Sequence, residues 1–158
     1  MKKYRLFLFL ILFLSIFVSC SKSVIFEEKV TFPDANWAFE NKAVTFKVPI
    51  TGSEKPYAIV LELELIGMQN VDKINSTFSI LTPLGAETVK PVVFNFKSPQ
   101  EPYIKGNTEN SKIYRLTAYP KKYFSETGTY TIIVDQYSNK ADNYGIQSLQ
   151  LRIEKTKE

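Results

Sequence analysis

Residues 57–65 alternate with a period of two: Tyr57, Ile59, Leu61, Leu63 and Leu65 fall on one side, and Ala58, Val60, Glu62 and Glu64 on the other. Only an extended chain sends every second side chain to the same face, so the stretch predicts a strand with one face in a core. The same rhythm returns in Val44, Phe46, Val48 and Ile50, in Tyr130, Ile132 and Val134, and in Leu149, Leu151 and Ile153. No segment shows a convincing helical period.

Further strands are predicted over residues 24–32, 74–81, 87–96 and 113–118, with turn clusters such as Pro33-Asp34 and Thr82-Pro83-Leu84-Gly85 between strands. Seven or eight strands at this spacing read as an all-β, antiparallel β-sandwich. A closed barrel is the alternative, but the loops differ widely in length, and Pro91, which cannot donate to a ladder, asks for an open edge. Residues 97–112 are predicted as the longest loop, and residues 119–128 as a turn or a single helical turn. The chain shows neither an internal repeat nor a low-complexity tract.

The first 20 residues have a different character. A basic head, Met1-Lys2-Lys3-Tyr4-Arg5, precedes an unbroken apolar run over residues 6–18, which ends at Ser19-Cys20. The run is short of the ~20 helical residues that span a bilayer, and with a small residue before the cut it reads as a secretory signal. Phe17-Val18-Ser19-Cys20 resembles the bacterial lipobox, in which the cysteine thiol is acylated and the chain is cut just before it. Residues 1–19 are therefore predicted to be removed, Cys20 to be the lipidated first residue, residues 20–23 to be a short tether, and residues 24–155 to be a single domain. Each buried methylene contributes about 0.8 kcal/mol, so two or more acyl chains hold a protein stably where one holds it marginally.

Composition then excludes several classes of function. Of the 20 Lys and Arg residues, Lys2, Lys3 and Arg5 lie in the signal, which leaves 17 against 16 acidic residues in the mature chain. A near-neutral domain without a basic cluster does not suit a phosphate backbone, so no nucleic-acid partner is expected. With Cys20 acylated no thiol remains for a disulfide, and the sequence has no His. The usual base of serine and cysteine hydrolases and the common soft metal ligands are thus missing.

Glu62 and Glu64 form the nearest approach to a carboxylate pair, about 7 Å apart on one strand face. A glycosidase needs its acids on opposite sides of a sugar, so the pair is expected to be solvated surface. Gly-x-Ser-x-Gly and Ser-x-x-Lys are absent from the mature chain. Asn139, Asp142 and Asn143 make an oxygen-rich loop, but it lacks the acid count and spacing of a calcium loop and reads as a polar turn. No enzyme activity and no cofactor are expected.

The aromatic residues remain. Trp37, Phe39, Tyr57, Tyr103, Tyr119, Tyr123, Tyr137 and Tyr144 fall mostly in loops or at strand ends, which a sandwich gathers at its two ends. Such rings either anchor a partner or cap the core. Capping is the favoured reading for Trp37, and Tyr103 and Tyr123 stay open between the two. Trp37, Tyr103, Tyr119 and Tyr123 are the candidate partner-binding residues.

Gly128-Thr129-Tyr130-Thr131-Ile132, with Asp135-Gln136 after it, and Gly145-Ile146 followed by Leu151-Arg152-Ile153-Glu154 resemble the last two strands of the gliding-motility lipoprotein H family of Bacteroidota. Residues 26–39, with Trp37, and residues 57–65 resemble the family's N-terminal half. The chain departs from the pattern where Gly106 stands alone before Ile113-Tyr114 and where Tyr137-Ser138 follows Gln136. The resemblance implies a non-enzymatic lipoprotein of the outer membrane, facing the periplasm in preference to the cell surface. It would be anchored through Cys20 and tied to protein subunits of an envelope, gliding or secretion complex. The alternative is a lipoprotein that binds sugar or peptidoglycan through its aromatic loops.

Overall fold

The computed structural model describes residues 24–52, 55–98, 103–106 and 108–156; Cys20, the segment before it and the tether lie outside the described residues. Two antiparallel sheets face one another across a single apolar core. The five-stranded sheet contains β1 (Val24–Thr31), β3 (Tyr57–Ile66), β6 (Ile104–Lys105), β7 (Ser111–Lys122) and β9 (Ile146–Lys155), in the order β1-β9-β3-β7-β6. The four-stranded sheet contains β2 (Ala43–Ile50), β4 (Lys73–Leu81), β5 (Glu87–Asn95) and β8 (Gly128–Gln136), in the order β2-β8-β4-β5. This is the expected sandwich.

All eight predicted strands are present. The ninth is β6, a two-residue strand inside the segment predicted as the longest loop, paired through Ile104 and Lys105 with Ile113 and Lys112. Two residues are too few to show a period. β7 also runs on to Lys122, through the stretch expected to turn. Pro120 falls where the register slips: Ile59 faces Tyr119 while Tyr57 faces Lys122, so the proline, which has no N–H to donate, lies in a bulge opposite no partner residue. Pro91 lies in β5, at the edge of its sheet and opposite Thr77, as its missing N–H requires.

The period-two faces meet in the core. Ile59, Leu61, Leu63 and Leu65 of β3 and Leu149, Leu151 and Ile153 of β9 pack against Val44, Phe46 and Val48 of β2 and Tyr130, Ile132 and Val134 of β8. Val92 and Phe94 of the edge strand join them.

Glu62 and Glu64 correct the sequence reading. They are only 6% and 7% exposed, not solvated. Alternation places them on the outer face, but β3 is the middle strand of five, and long side chains from its neighbours lie over it. Arg115 on β7 donates to Glu62 at 3.1 Å and to Glu154 at 2.9 Å. Arg152 on β9 lies 3.1 Å from Glu154 and 3.7 Å from Glu62. Lys29 on β1 donates to Glu64 at 3.2 Å, and the hydroxyls of Ser111 and Ser148 reach the same carboxylate. Arg115→Ala should therefore cost about 1–3 kcal/mol, because it leaves two carboxylates with one guanidinium between them. Urea unfolding at low and high salt measures this; no loss at either would mean that the network adds nothing.

Candidate functional site

Strand pairing gives the domain two different ends. Val24 at the start of β1 pairs with Glu154, and Tyr57 at the start of β3 pairs with Lys155 and Lys122 at the ends of β9 and β7. The chain thus enters the domain at the end formed by these residues and by the turn between β4 and β5. The opposite end carries the connections 32–42, 67–72 and 137–145 and the described residues between β5 and β7.

Three of those connections are laced together. Asn36 donates through Nδ2 to Asp142 Oδ1 at 2.8 Å and accepts the Asn143 backbone N–H at 2.9 Å. Buried Asn143 donates through Nδ2 to the Trp37 carbonyl at 2.9 Å, and the Phe39 N–H donates to the Ala141 carbonyl at 2.8 Å. Asn70 completes the lacing: its Nδ2 donates to the Asp142 carbonyl, and its Oδ1 accepts the Tyr144 N–H at 2.9 Å. In the oxygen-rich loop considered as an ion site, Asp142 Oδ1 and Asn143 Nδ2 are used in these bonds, while the buried Asn143 Oδ1 has no hydrogen-bond partner among the described residues.

Gly145 makes the close approach possible. Its φ is +82°, and a Cβ there would stand 2.9 Å from the Met68 carbonyl oxygen and 3.0 Å from that of Ile66. Gly67, at φ +59°, has open space around it. Gly67→Ala should accordingly cost about 1–2 kcal/mol, the left-handed backbone alone, while Gly145→Ala adds a backbone clash and should cost more. Thermal melts of the two variants check this order; equal losses would contradict it.

On this braced scaffold four large side chains point into solvent: Phe39, Met68, Tyr137 and Tyr144, with Met68 92% exposed. Beside them opens a hollow of about 410 Å³ whose lining includes Asn70, Asp72, Asn75, Tyr137 and Asn139. An isolated exposed apolar residue is ordinary; here four lie on adjoining, hydrogen-bonded loops at one end of the sandwich.

The residues singled out from sequence do not form one patch. Trp37 is fully buried, stacked on Phe32 at 5.3 Å and edge-on to Phe94 at 6.2 Å, so it offers nothing to a partner and caps the core. Tyr103 is half-buried at the same end. Its hydroxyl donates to the Phe96 carbonyl at 2.8 Å, its ring meets Tyr114 edge-on, and burial, then the Tyr114 phenol, raises its pKa. Tyr119 lies toward the other end, half-buried against Phe78 and under Lys90 at 4.1 Å. Burial lowers the pKa of that lysine, which also donates to the Ala118 carbonyl. Of the four, only Tyr123 is exposed, at the end where the chain enters.

The sequence model of the family described as GldH lipoprotein matches residues 24–153, from the first residue of β1 almost to the end of β9. The chain belongs to this family. No curated protein is matched. Membership of the GldH lipoprotein family brings membrane anchoring and a link to gliding motility, and it spans the sandwich as a unit, both the braced loops and the buried Glu62 network. No helix among the described residues is long and apolar enough to cross a membrane.

Proposed function

We propose that this member of the GldH lipoprotein family is a non-enzymatic subunit of a cell-envelope machine. It is held to the outer membrane on the periplasmic side by acyl groups on Cys20, and it presents its braced loops to a protein subunit of a gliding or secretion complex. One observation carries the reading: Phe39, Met68, Tyr137 and Tyr144 are exposed together at the end opposite Val24. Loops already fixed by side-chain to backbone bonds lose little further freedom on binding, which is what a docking surface requires.

A second reading rests on the hollow beside those residues. Amides, a carboxylate and the Tyr137 ring are the groups that hydrogen-bond and stack on sugar hydroxyls and faces, so a glycan is its natural occupant.

Photo-crosslinking amino acids at Met68 and Tyr144 in living cells separate the two. The expected result is an adduct with one membrane-embedded protein, lost from a Cys20→Ser strain. Adducts with glycan alone would favour the second reading. Adducts from Lys47, on the outer face of the four-stranded sheet, and none from the loops would overturn both.

A further inference from the structure

The end at which the chain enters has a surface of its own. The turn between β4 and β5 is closed by three hydrogen bonds: the Thr82 N–H to the Ala86 carbonyl, the Gly85 N–H to the Thr82 carbonyl, and the Ala86 N–H to the Thr82 hydroxyl. These hold Leu84 outward, 85% exposed. The turn is fastened to the connection between β7 and β8, because the Leu84 N–H donates to Glu126 Oε2 at 3.1 Å and a Cβ on Gly128 would touch Pro83. That connection carries Tyr123, 60% exposed. Around the two lie the ends of β7 and β9, with Lys121, Lys122 and Lys155. Among the described residues the acids at this end are Glu87 and Glu126, the second engaged with Leu84; Glu154 is occupied by Arg115 and Arg152.

We infer that this end is a membrane-docking surface for an anionic phospholipid layer, with Leu84 and Tyr123 entering the headgroup region and the lysines meeting phosphates. The combination is that of an interfacial anchor: a projecting aliphatic residue, an amphipathic tyrosine at headgroup depth, and lysines whose stems lie along the surface while the ammonium groups reach anions. Position argues the same way. Cys20 is followed by only Ser21, Lys22 and Ser23 before Val24 pairs into the sheet, and three extended residues reach at most about 10 Å. A domain on so short a lead turns this end to the bilayer and its braced loops away from it. The inference rests on the proposed acylation of Cys20, and it adds a second, non-covalent contact that fixes orientation.

The test uses the full lipoprotein, purified from membranes and reconstituted into vesicles of phosphatidylethanolamine with phosphatidylglycerol. Because Cys20 is the only cysteine and its thiol would be acylated, Leu84→Cys and Met68→Cys each provide a unique site for an environment-sensitive fluorophore. The vesicles are first floated on a density gradient. The label at 84 is expected to be blue-shifted, several-fold brighter than the label at 68, and quenched by spin-labelled lipid, and the triple change Lys121→Glu, Lys122→Glu, Lys155→Glu should return it to water. Protein that does not float would remove the acylation reading and the docking with it. Protein that floats with residues 84 and 68 equally wet would overturn the docking alone. Burial of the label at 84 only when other membrane proteins are added would assign the surface to a protein and overturn it too. Immersion that survives the triple change would overturn the role of the lysines.

Discussion

Trp37→Ala is expected to lower the unfolding free energy by about 3–5 kcal/mol, a large part of what a domain of this size possesses. The indole is the largest of the fully buried side chains and lies between Phe32 and Phe94, where the loop after β1 closes over the end of the core. Removing it leaves a hole that the surrounding strands cannot close. It also unseats the backbone whose carbonyl accepts from Asn143, and so loosens the loops that carry Phe39 and Tyr144. Trp37→Phe should recover more than half of the loss by keeping the stack on Phe32. Urea denaturation followed by far-UV circular dichroism reads the effect, since the substitution removes the only tryptophan. A variant as stable as wild type but deficient in partner binding would return Trp37 to the contact surface.

The second large effect is expected at Cys20. Cys20→Ser should give an unprocessed precursor without acyl groups, because lipid transfer needs the thiol and the cut follows the transfer. Anchoring holds a domain and a partner in the same membrane at high local concentration, worth roughly 10²- to 10⁴-fold in apparent affinity, so the variant should lose partner occupancy even where the sandwich folds. Metabolic labelling with palmitate and the mobility of the chain on a gel read it out. Label entering the serine form would reject Cys20 as the acceptor.

The fold was legible where a local rule decides it. Period-two faces located four of the eight longer strands, strand-forming runs between turn signals located the other four, and Pro91 marked an edge because a missing N–H forbids any other place in a sheet. What the pattern could not supply was strand order. Glu62 and Glu64 look solvated as long as β3 is considered alone, and they become buried because β7 and β9, which begin about 50 and 90 residues later, flank it and supply Arg115 and Arg152. The same non-locality hid the end of β7, where a bulge accommodates Pro120.

The proposed contact surface was legible only in part. Phe39, Tyr137 and Tyr144 were visible as loop aromatics and capping was favoured for Trp37, but nothing local showed which rings are exposed: the Trp37 backbone is held by Asn143, 106 residues away, and its ring is covered by Phe32 and Phe94. Met68, the most exposed of the tip residues, carried no aromatic signal at all. A glycine after Tyr144 was the one local hint, since Gly145 permits the loop that bears Tyr144 to lie against the backbone at Met68. Leu84 sat within a turn that was recognised, although a turn signal says nothing of what its apolar residue meets.

Untethering the domain tests the central claim most directly. A chain beginning at Val24, exported by a cleavable signal without a lipidated cysteine, is compared with the lipoprotein at equal abundance in a strain lacking the gene. With three residues of lead replaced by free diffusion, the sandwich should keep its melting temperature and fail to restore the function of the envelope machine. Full restoration by the untethered domain would contradict an account in which this protein works by presenting braced loops from the membrane surface.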